Sequence, residues 1–100
     1  MGKKRSGGGI RIEGWDFDDA NIEELAAHGL TPELVDQVLE NRGRFRRNKR
    51  RRAASHQMIG PDGGGRFWVV CIVETGPCIW RPITGWSAED HEIKWWRRSK

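Results

Sequence analysis

The sequence predicts an α+β domain: two helices first, then an antiparallel sheet of three to four strands, then a closing helix. The main observation is the apolar run Arg66–Glu74, rich in β-branched and aromatic residues and bounded by turn-forming stretches at residues 62–65 and 75–77. Its seven consecutive apolar residues are too few to span a membrane, and they suit a strand buried on both faces. We therefore expect Arg66–Glu74 to be the central strand of an antiparallel meander.

Signals for two helices precede that strand. Asp18 and Asp19 offer an N-cap for the first helix, and Gly29 is well placed to end it in a left-handed conformation. Thr31 can cap a second helix at once, because Pro32 then occupies the first helical position, where its missing N–H costs nothing. These signals predict an N-terminal helical hairpin over residues 19–41, acidic outside and apolar on one side.

Further strands and a last helix complete the predicted fold. Ala53–Gly60 alternates as a half-buried strand, and Ile79–Thr84 follows the central strand as the next one. Pro82 predicts that this later strand lies at an edge of the sheet. Ser87 followed by Asp90 resembles a capping box, which would start the closing helix.

The length of 100 residues is enough for one compact domain and not for two. Residues 1–9 are basic and glycine-rich, so we expect a flexible leader before a single domain over residues 10–100. No apolar stretch is long enough for a signal peptide or a transmembrane helix, which favours the cytoplasm. Cys71 and Cys78 lack metal-ligand spacing and are expected to be free thiols there.

Charge is segregated along the chain. Ile10–Asn41 holds one arginine and nine acids, whereas Arg42–Arg52 holds eight basic residues and no acid. Eight cations without one acid exceed ordinary surface charge and favour contact with a polyanion over a merely solvated loop. The basic residues expected to contact a polyanion, which would be RNA if the family resemblance given below holds, are Arg44, Arg46, Arg47, Lys49, Arg50, Arg51 and Arg52 of this run, and Arg66 outside it.

Several motifs occur in an order and spacing that resemble a known family. The segment Asn21–Glu33 looks like the helix pair of BrnT-type toxins, and Gly14–Asp16 matches the Trp-Asp that precedes that pair. Ile59–Gly60 before a glycine-rich turn looks like the family's strand end. Arg81–Thr84 followed by Glu92 resembles its Arg-x-Ile-Ser/Thr…Glu ending. The resemblance covers about residues 15–92.

That family belongs to bacterial type II toxin–antitoxin modules. The resemblance implies a RelE-like fold, RNA cleavage, and a hetero-oligomer with a cognate antitoxin, a DNA-binding neighbour from the same operon. Two positions depart from the family's pattern. Trp86 stands where relatives carry a second arginine, and Ser55 with His56 stands where they often carry an arginine before Ile-Gly. The anion-binding set is therefore altered.

Metal-independent RNA cleavage needs a base for the 2′-hydroxyl, cations for the phosphorane and an acid for the leaving oxygen. The candidate catalytic residues are His56, Arg81 and His28. His56 titrates in the right range, although it is equally interpreted as a satisfied strand residue. His28 lies at the corner of the hairpin, where a histidine is more often a helix-end partner than a catalyst. Arg81 lies between two isoleucines on one face, where it needs an anion or a carboxylate. We place His91 on the closing helix, away from the sheet.

No acidic or Cys/His cluster in the sequence suits a metal, and no cofactor is expected. The alternative function is a non-catalytic nucleic-acid-binding or protein-interaction module. Such a module needs only the basic run and exposed tryptophan faces on which bases can stack. Cleavage of RNA without metal separates the two hypotheses.

Overall fold

The computed structural model describes residues 6–7, 10–49 and 53–99. Its strands are β1 (Ser6–Gly7), β2 (Ile10–Arg11), β3 (Gly14–Trp15), β4 (Arg44–Arg47), β5 (His56–Pro61), β6 (Phe67–Gly76) and β7 (Ile79–Ser87). Its helices are α1 (Asp19–Ala27), α2 (Pro32–Glu40) and α3 (Asp90–Arg98). The predicted α+β class is confirmed.

Two finer expectations about the fold are wrong. The helices are not the N-terminal elements, because three short strands precede them. The main sheet has five strands rather than three or four and is mixed, in the order β3-β7-β6-β5-β4 with β3 parallel to β7. Backbone bonds of 2.8 Å, from Glu13 N to Cys78 O and from Asp16 N to Trp80 O, hold β3 there. The sequence leaves two possibilities for Ile10, Ile12 and Trp15, a short edge strand or packing of the leader, and Trp15 belongs to the edge strand β3.

The predicted meander is confirmed, with β6 at its centre between β5 and β7. The strand expected over Ile79–Thr84 continues to Ser87. β7 is not an edge strand of the whole sheet, because β3 pairs with it on its outer side. This pairing involves only Ile79 and Trp80 of β7. Pro82 lies beyond that pairing, on a part of β7 that is locally an edge.

The predicted starts of α1 and α2 are confirmed. Asp18 Oδ1 accepts from the N–H of Asn21 at 2.8 Å, and Thr31 Oγ1 accepts from the N–H of Leu34 at 3.2 Å. Gly29 has φ +88°, the left-handed conformation expected after α1.

The predicted cap of the closing helix is wrong. Ser87 ends β7, and the capping box is formed instead by Glu89 at the N-cap and Glu92 at N3. The box therefore lies two residues later than expected, because β7 runs three residues beyond its predicted end.

The two faces of the sheet carry different layers. Alternate residues of β6 point to opposite faces, so Trp68, Val70 and Ile72 enter the hydrophobic core with residues of α1 and α2, whereas Cys71 faces the other side. Helix α1 packs against β7, and α2 packs against β5 and β6. Helix α3 packs against β5 on the second face. It leaves part of that face open.

Cys71 and Cys78 are both free thiols, as expected. Within the described residues, no helix is long and apolar enough to cross a bilayer. The flexible leader predicted over residues 1–9 lies mostly outside the described residues. Ser6–Gly7, which is described, pairs antiparallel with Ile10–Arg11.

Candidate functional site

A groove with a volume of about 880 Å³ lies on the second face of the sheet, between α3 and residues 46–49, 53 and 54. The β4–β5 side contributes Arg46, Arg47, Asn48, Lys49, Ala53 and Ala54. The sheet contributes Gln57, Cys71, Ile83, Thr84 and Trp86. Helix α3 contributes His91, Glu92 and Trp95.

A register shift in the sheet shapes the floor of this groove. Cys71 pairs with Thr84, but the next residue, Ile72, pairs with Pro82, so Ile83 is extra in β7. Such a bulge bends the strand and redirects its side chains. The neighbouring residues Ile83 and Thr84 consequently both line the groove.

The best-fixed cation of the groove is Arg46. Its guanidinium carbon lies 4.9 Å from the centre of the Trp95 ring, and its Nε donates to Gln57 Oε1 at 2.9 Å. A cation over an indole face is attracted by the ring's quadrupole. Because the stacking and the hydrogen bond act together, the plane of the guanidinium is held at the wall of the groove.

A network of buried amides supports that arginine. Gln57 Nε2 donates to Asn48 Oδ1 at 3.4 Å, and Asn48 Nδ2 donates to the carbonyl of Ala54 at 3.0 Å. Asn48 and Gln57 are both buried. Buried polar groups are costly unless they are hydrogen-bonded. This network therefore fixes Asn48 and Ala54 relative to each other and holds Gln57, whose Oε1 accepts from Arg46.

On the opposite wall, Glu92 and His91 project from the first turn of α3. Glu92 is buried, and its carboxylate accepts from the Glu89 N–H at 2.8 Å and from Trp86 Nε1 at 3.3 Å. His91 Nδ1 lies 3.6 Å from Glu89 Oε1, and its side chain is 71% exposed. The expectation that His91 lies away from the sheet is wrong, because α3 starts beside the open face and His91 lines the groove.

The groove has a positive charge balance. Arg46, Arg47 and Lys49 contribute three cations against the single carboxylate of Glu92. Burial raises the pKa of the Cys71 thiol to about 11, and the hydrogen bond from Gln57 acts in the opposite direction. Cys71 is therefore a neutral thiol near pH 7 and not a thiolate nucleophile.

His56 does not line the groove. Its neighbour Gln57 does, and consecutive side chains of a strand point to opposite faces. The ring of His56 meets Trp80 edge-on at 5.5 Å between ring centres, and its Nδ1 lies 2.9 Å from Ser55 Oγ. Burial, and next the charge of Arg47, lower the pKa of His56 below its usual 6.5.

Arg81 is also outside the groove lining, and its guanidinium is engaged by carboxylates. Its Nη2 donates to Asp16 Oδ2 at 2.8 Å, and its Nη1 lies 3.7 Å from Asp18 Oδ2. The hydrogen bond from Arg81, followed by that from Thr75, lowers the pKa of Asp16. The carboxylate that an arginine between two isoleucines requires is supplied by the segment joining β3 to α1.

His28 lies at the C-cap of α1 and is exposed. Its Nε2 is 3.2 Å from Glu24 Oε2, the oxygen that also accepts from Thr84 Oγ1 at 2.8 Å. The bond from Thr84, and then that from His28, lower the pKa of Glu24. Thr84 lines the groove, but Glu24 and His28 do not. The structure therefore does not bring His56, Arg81 and His28 together in the groove.

The basic residues expected to bind RNA divide into three groups. Arg46, Arg47 and Lys49 line the groove. Arg44 lies 5.2 Å from the Trp96 ring and Arg66 4.5 Å from the Trp68 ring, both outside the groove lining. The predictions for Arg50, Arg51 and Arg52 lie outside the described residues.

Sequence reasoning did not find several groove residues, including Asn48, Gln57, His91 and Trp95. The available signal was the helical spacing of Glu92, Trp95 and Trp96, which puts them on one face of α3. Among the residues that the structure describes, no group of three or more His, Cys, Asp or Glu could hold a metal ion. No protein-family model matches the chain, and no curated protein matches its sequence.

Proposed function

We propose that this chain is a metal-independent RNA endonuclease, the toxin of a BrnT-type type II toxin–antitoxin module with a RelE-like fold, and that the groove is its RNA site. The observation that supports RNA binding is the groove itself, where three cations, one of them held by Trp95 and Gln57, stand over an open sheet face. The ribonuclease and toxin assignments rest on the resemblance of the motifs between residues 15 and 92.

Single-stranded RNA fits this arrangement. Arg46, Arg47 and Lys49 belong to the groove lining, where their cations would contact phosphates. Gln57 takes the Nε–H of Arg46, so a phosphate would be bound by the two terminal amino groups of that guanidinium. The indoles of Trp86 and Trp95 supply apolar surface for a base, and such stacking tolerates different sequences.

For the cleavage step, the 2′-hydroxyl oxygen attacks the adjacent phosphorus and the bond from phosphorus to the 5′-oxygen breaks. The products are a 2′,3′-cyclic phosphate and a 5′-hydroxyl. We assign His91 as the base that takes the 2′-hydroxyl proton, because it is the histidine in the groove lining, while solvent protonates the departing oxygen. Arg46 would stabilise the charge that develops on the phosphorane.

A second candidate function, a non-catalytic nucleic-acid-binding or protein-interaction module, is supported by a different observation. Arg81, an expected anion-binding residue, is already paired with Asp16 and Asp18. The groove would then need only its cations and indoles to hold RNA. The sequence-based prediction that His56, Arg81 and His28 are catalytic competes with the assignment of His91, because none of these three residues lines the groove.

One experiment separates the two candidates. The full chain is incubated with single-stranded RNA in EDTA, beside the same oligonucleotide with a 2′-deoxy substitution at each position. The proposal predicts cleavage of the RNA alone, with a 2′,3′-cyclic phosphate on the product. Binding of both oligonucleotides without cleavage would establish the second candidate, and absence of both binding and cleavage would refute the groove as an RNA site.

The proposed module also includes a cognate antitoxin encoded next to this chain and acting in the cytoplasm. The excess of basic over acidic residues, 18 against 14, and their concentration in residues 42–52 favour an acidic partner surface. Co-expression with the neighbouring small gene should relieve growth arrest and yield a complex. Growth arrest that persists when a stable complex forms would contradict neutralisation.

A further inference from the structure

Strand β4 forms one edge of the five-stranded sheet. Its inner side pairs with β5 from Arg44 to Arg47. In the described part of the chain, no strand pairs with its outer side. An edge of this kind presents backbone N–H and C=O groups that an extended chain can use to add a strand.

The hydrogen-bond pattern identifies the outward groups. The N–H of Asn48 donates to the carbonyl of Ser55 at 2.9 Å, in line with the β4–β5 register. In an antiparallel pair, residues that bond across the ladder alternate with residues that do not. Phe45 and Arg47 therefore turn their backbone N–H and C=O groups away from β5, toward the free edge.

The side chains of β4 restrict what can pair there. Arg44 and Arg46 lie on the α3 side, Arg47 is exposed, and residues 42–52 contain no acid. A second copy of β4 would bring like charges opposite one another, which destabilises a strand pair. An acidic strand would instead bring opposite charges together at the same positions.

We propose that the outer edge of β4 binds an extended acidic segment of a partner protein as a sixth strand. Carboxylates at alternate positions lie beside Arg44 and Arg46, and an apolar residue lies beside Phe45, which is packed against the core. The bound segment runs along the groove wall and screens Arg46 and Arg47 from RNA. That this partner is the antitoxin rests on the proposed function, but the strand pairing does not.

The test uses the full chain and a blocked peptide of alternating glutamate and valine, with amide hydrogen exchange followed by NMR. At a peptide concentration about tenfold above its Kd, exchange of the Phe45 and Arg47 amides should slow about tenfold. The amides of Arg44 and Arg46, which face β5, should change little. One control peptide carries N-methyl groups on alternate residues, and the other carries lysine in place of glutamate. Neither control peptide should slow exchange of the Phe45 and Arg47 amides.

A pair of variants tests the same edge from the protein side. Arg47→Pro removes an outward N–H without removing a bond to β5 and should abolish peptide binding. Arg47→Gln keeps the N–H and should weaken binding only in part. Unchanged exchange of the Val70 amide in the central strand verifies that each variant is folded, and the N-methylated peptide gives the same test on the unmodified protein.

The inference would be overturned if the N-methylated peptide slowed exchange of the Phe45 and Arg47 amides as much as the unmodified peptide, or if no peptide slowed it. It would also be overturned if exchange slowed with rising protein concentration in the absence of peptide, which would mean pairing with a second copy. Protection by an RNA oligonucleotide and by none of the peptides would assign this edge to nucleic acid instead. Because the readout contains no cleavage step, loss of the ribonuclease proposal would leave the outcome unaffected.

Discussion

The guanidinium carbon of Arg46 lies 4.9 Å from the centre of the Trp95 ring, and two residues earlier on the same strand Arg44 lies 5.2 Å from the Trp96 ring. The two pairs are alike in chemistry and differ in place, because Arg46 and Trp95 line the groove and Arg44 and Trp96 do not. They also differ in the hydrogen bonding of the arginine Nε. Gln57 accepts from Arg46 Nε, whereas Arg44 Nε has no acceptor among the described residues.

The first prediction uses these pairs as test and control. Trp95→Leu and Arg46→Gln should each remove one phosphate contact, so the slope of log K against log salt becomes shallower by about 0.7 for single-stranded RNA. The double variant should change the slope no further, because both substitutions remove the same contact. Trp96→Leu should leave the slope unchanged. Equal changes of the slope in Trp95→Leu and Trp96→Leu would show that the phosphate contact is not specific to the groove pair Arg46–Trp95.

The second prediction concerns the three histidines. His91→Ala should lower the single-turnover rate of RNA cleavage about 100-fold or more, the usual contribution of a general base, with little loss of RNA affinity. His56→Ala and His28→Ala should leave the rate unchanged, because neither side chain lines the groove. Loss of cleavage in His56→Ala or His28→Ala, with His91→Ala active, would move the site out of the groove.

The third prediction concerns the ion pair between Arg81 and Asp16. Arg81→Gln should lower the free energy of unfolding and raise the pKa of Asp16 toward 3.8, because the hydrogen bond from Arg81 is the main cause of its lowering. Asp16→Asn should have a smaller effect in the Arg81→Gln background than in the wild type, as measured by urea unfolding. Both variants should still cleave RNA. A folded Arg81→Gln protein that binds RNA but cannot cleave it would make Arg81 catalytic.

The fourth prediction is a pH dependence of stability that arises from Asp62. Its carboxylate accepts from Trp68 Nε1 at 2.9 Å and from the N–H groups of Gly64 and Arg66, and these bonds, that from Trp68 first, lower its pKa. A lowered pKa gives stability that is present above the unfolded pKa of about 3.9 and is lost as the pH falls through the folded value.

Two variants test this assignment. Asp62→Ala should cost about 1–3 kcal/mol of unfolding free energy at neutral pH, because the buried indole N–H of Trp68 loses its acceptor. Asp62→Asn should give a flatter dependence of the urea midpoint on pH below about pH 4 than the wild type. An Asp62→Asn protein with the same acid profile as the wild type would assign that dependence to other carboxylates.

Local signals in the sequence predicted most of the helices and strands. The position of the candidate site depends instead on pairing between segments that are far apart in the sequence. The apolar run at β6 and the caps at Asp18 and Thr31 are set by neighbours in the chain, so they were predictable. The pairing of Gly14–Trp15 with Ile79 and Trp80 joins segments far apart in the sequence and shows no periodicity.

The candidate site was only partly predictable for the same reason. The basic run indicated Arg46, Arg47 and Lys49, which do line the groove. Their convergence with His91 and Trp95 depends on where α3 crosses the sheet, a relation that the spacing of α3 residues does not contain.

The most direct test of the groove as the RNA site is an NMR titration that observes the indole N–H signals of the six tryptophans while single-stranded RNA is added. The groove residues Trp86 and Trp95 should shift in proportion to bound RNA. The signals outside the groove lining, which should stay in place, are those of Trp15, Trp68, Trp80 and Trp96. No shift at Trp86 and Trp95, or larger shifts at the other four, would contradict RNA binding in the groove.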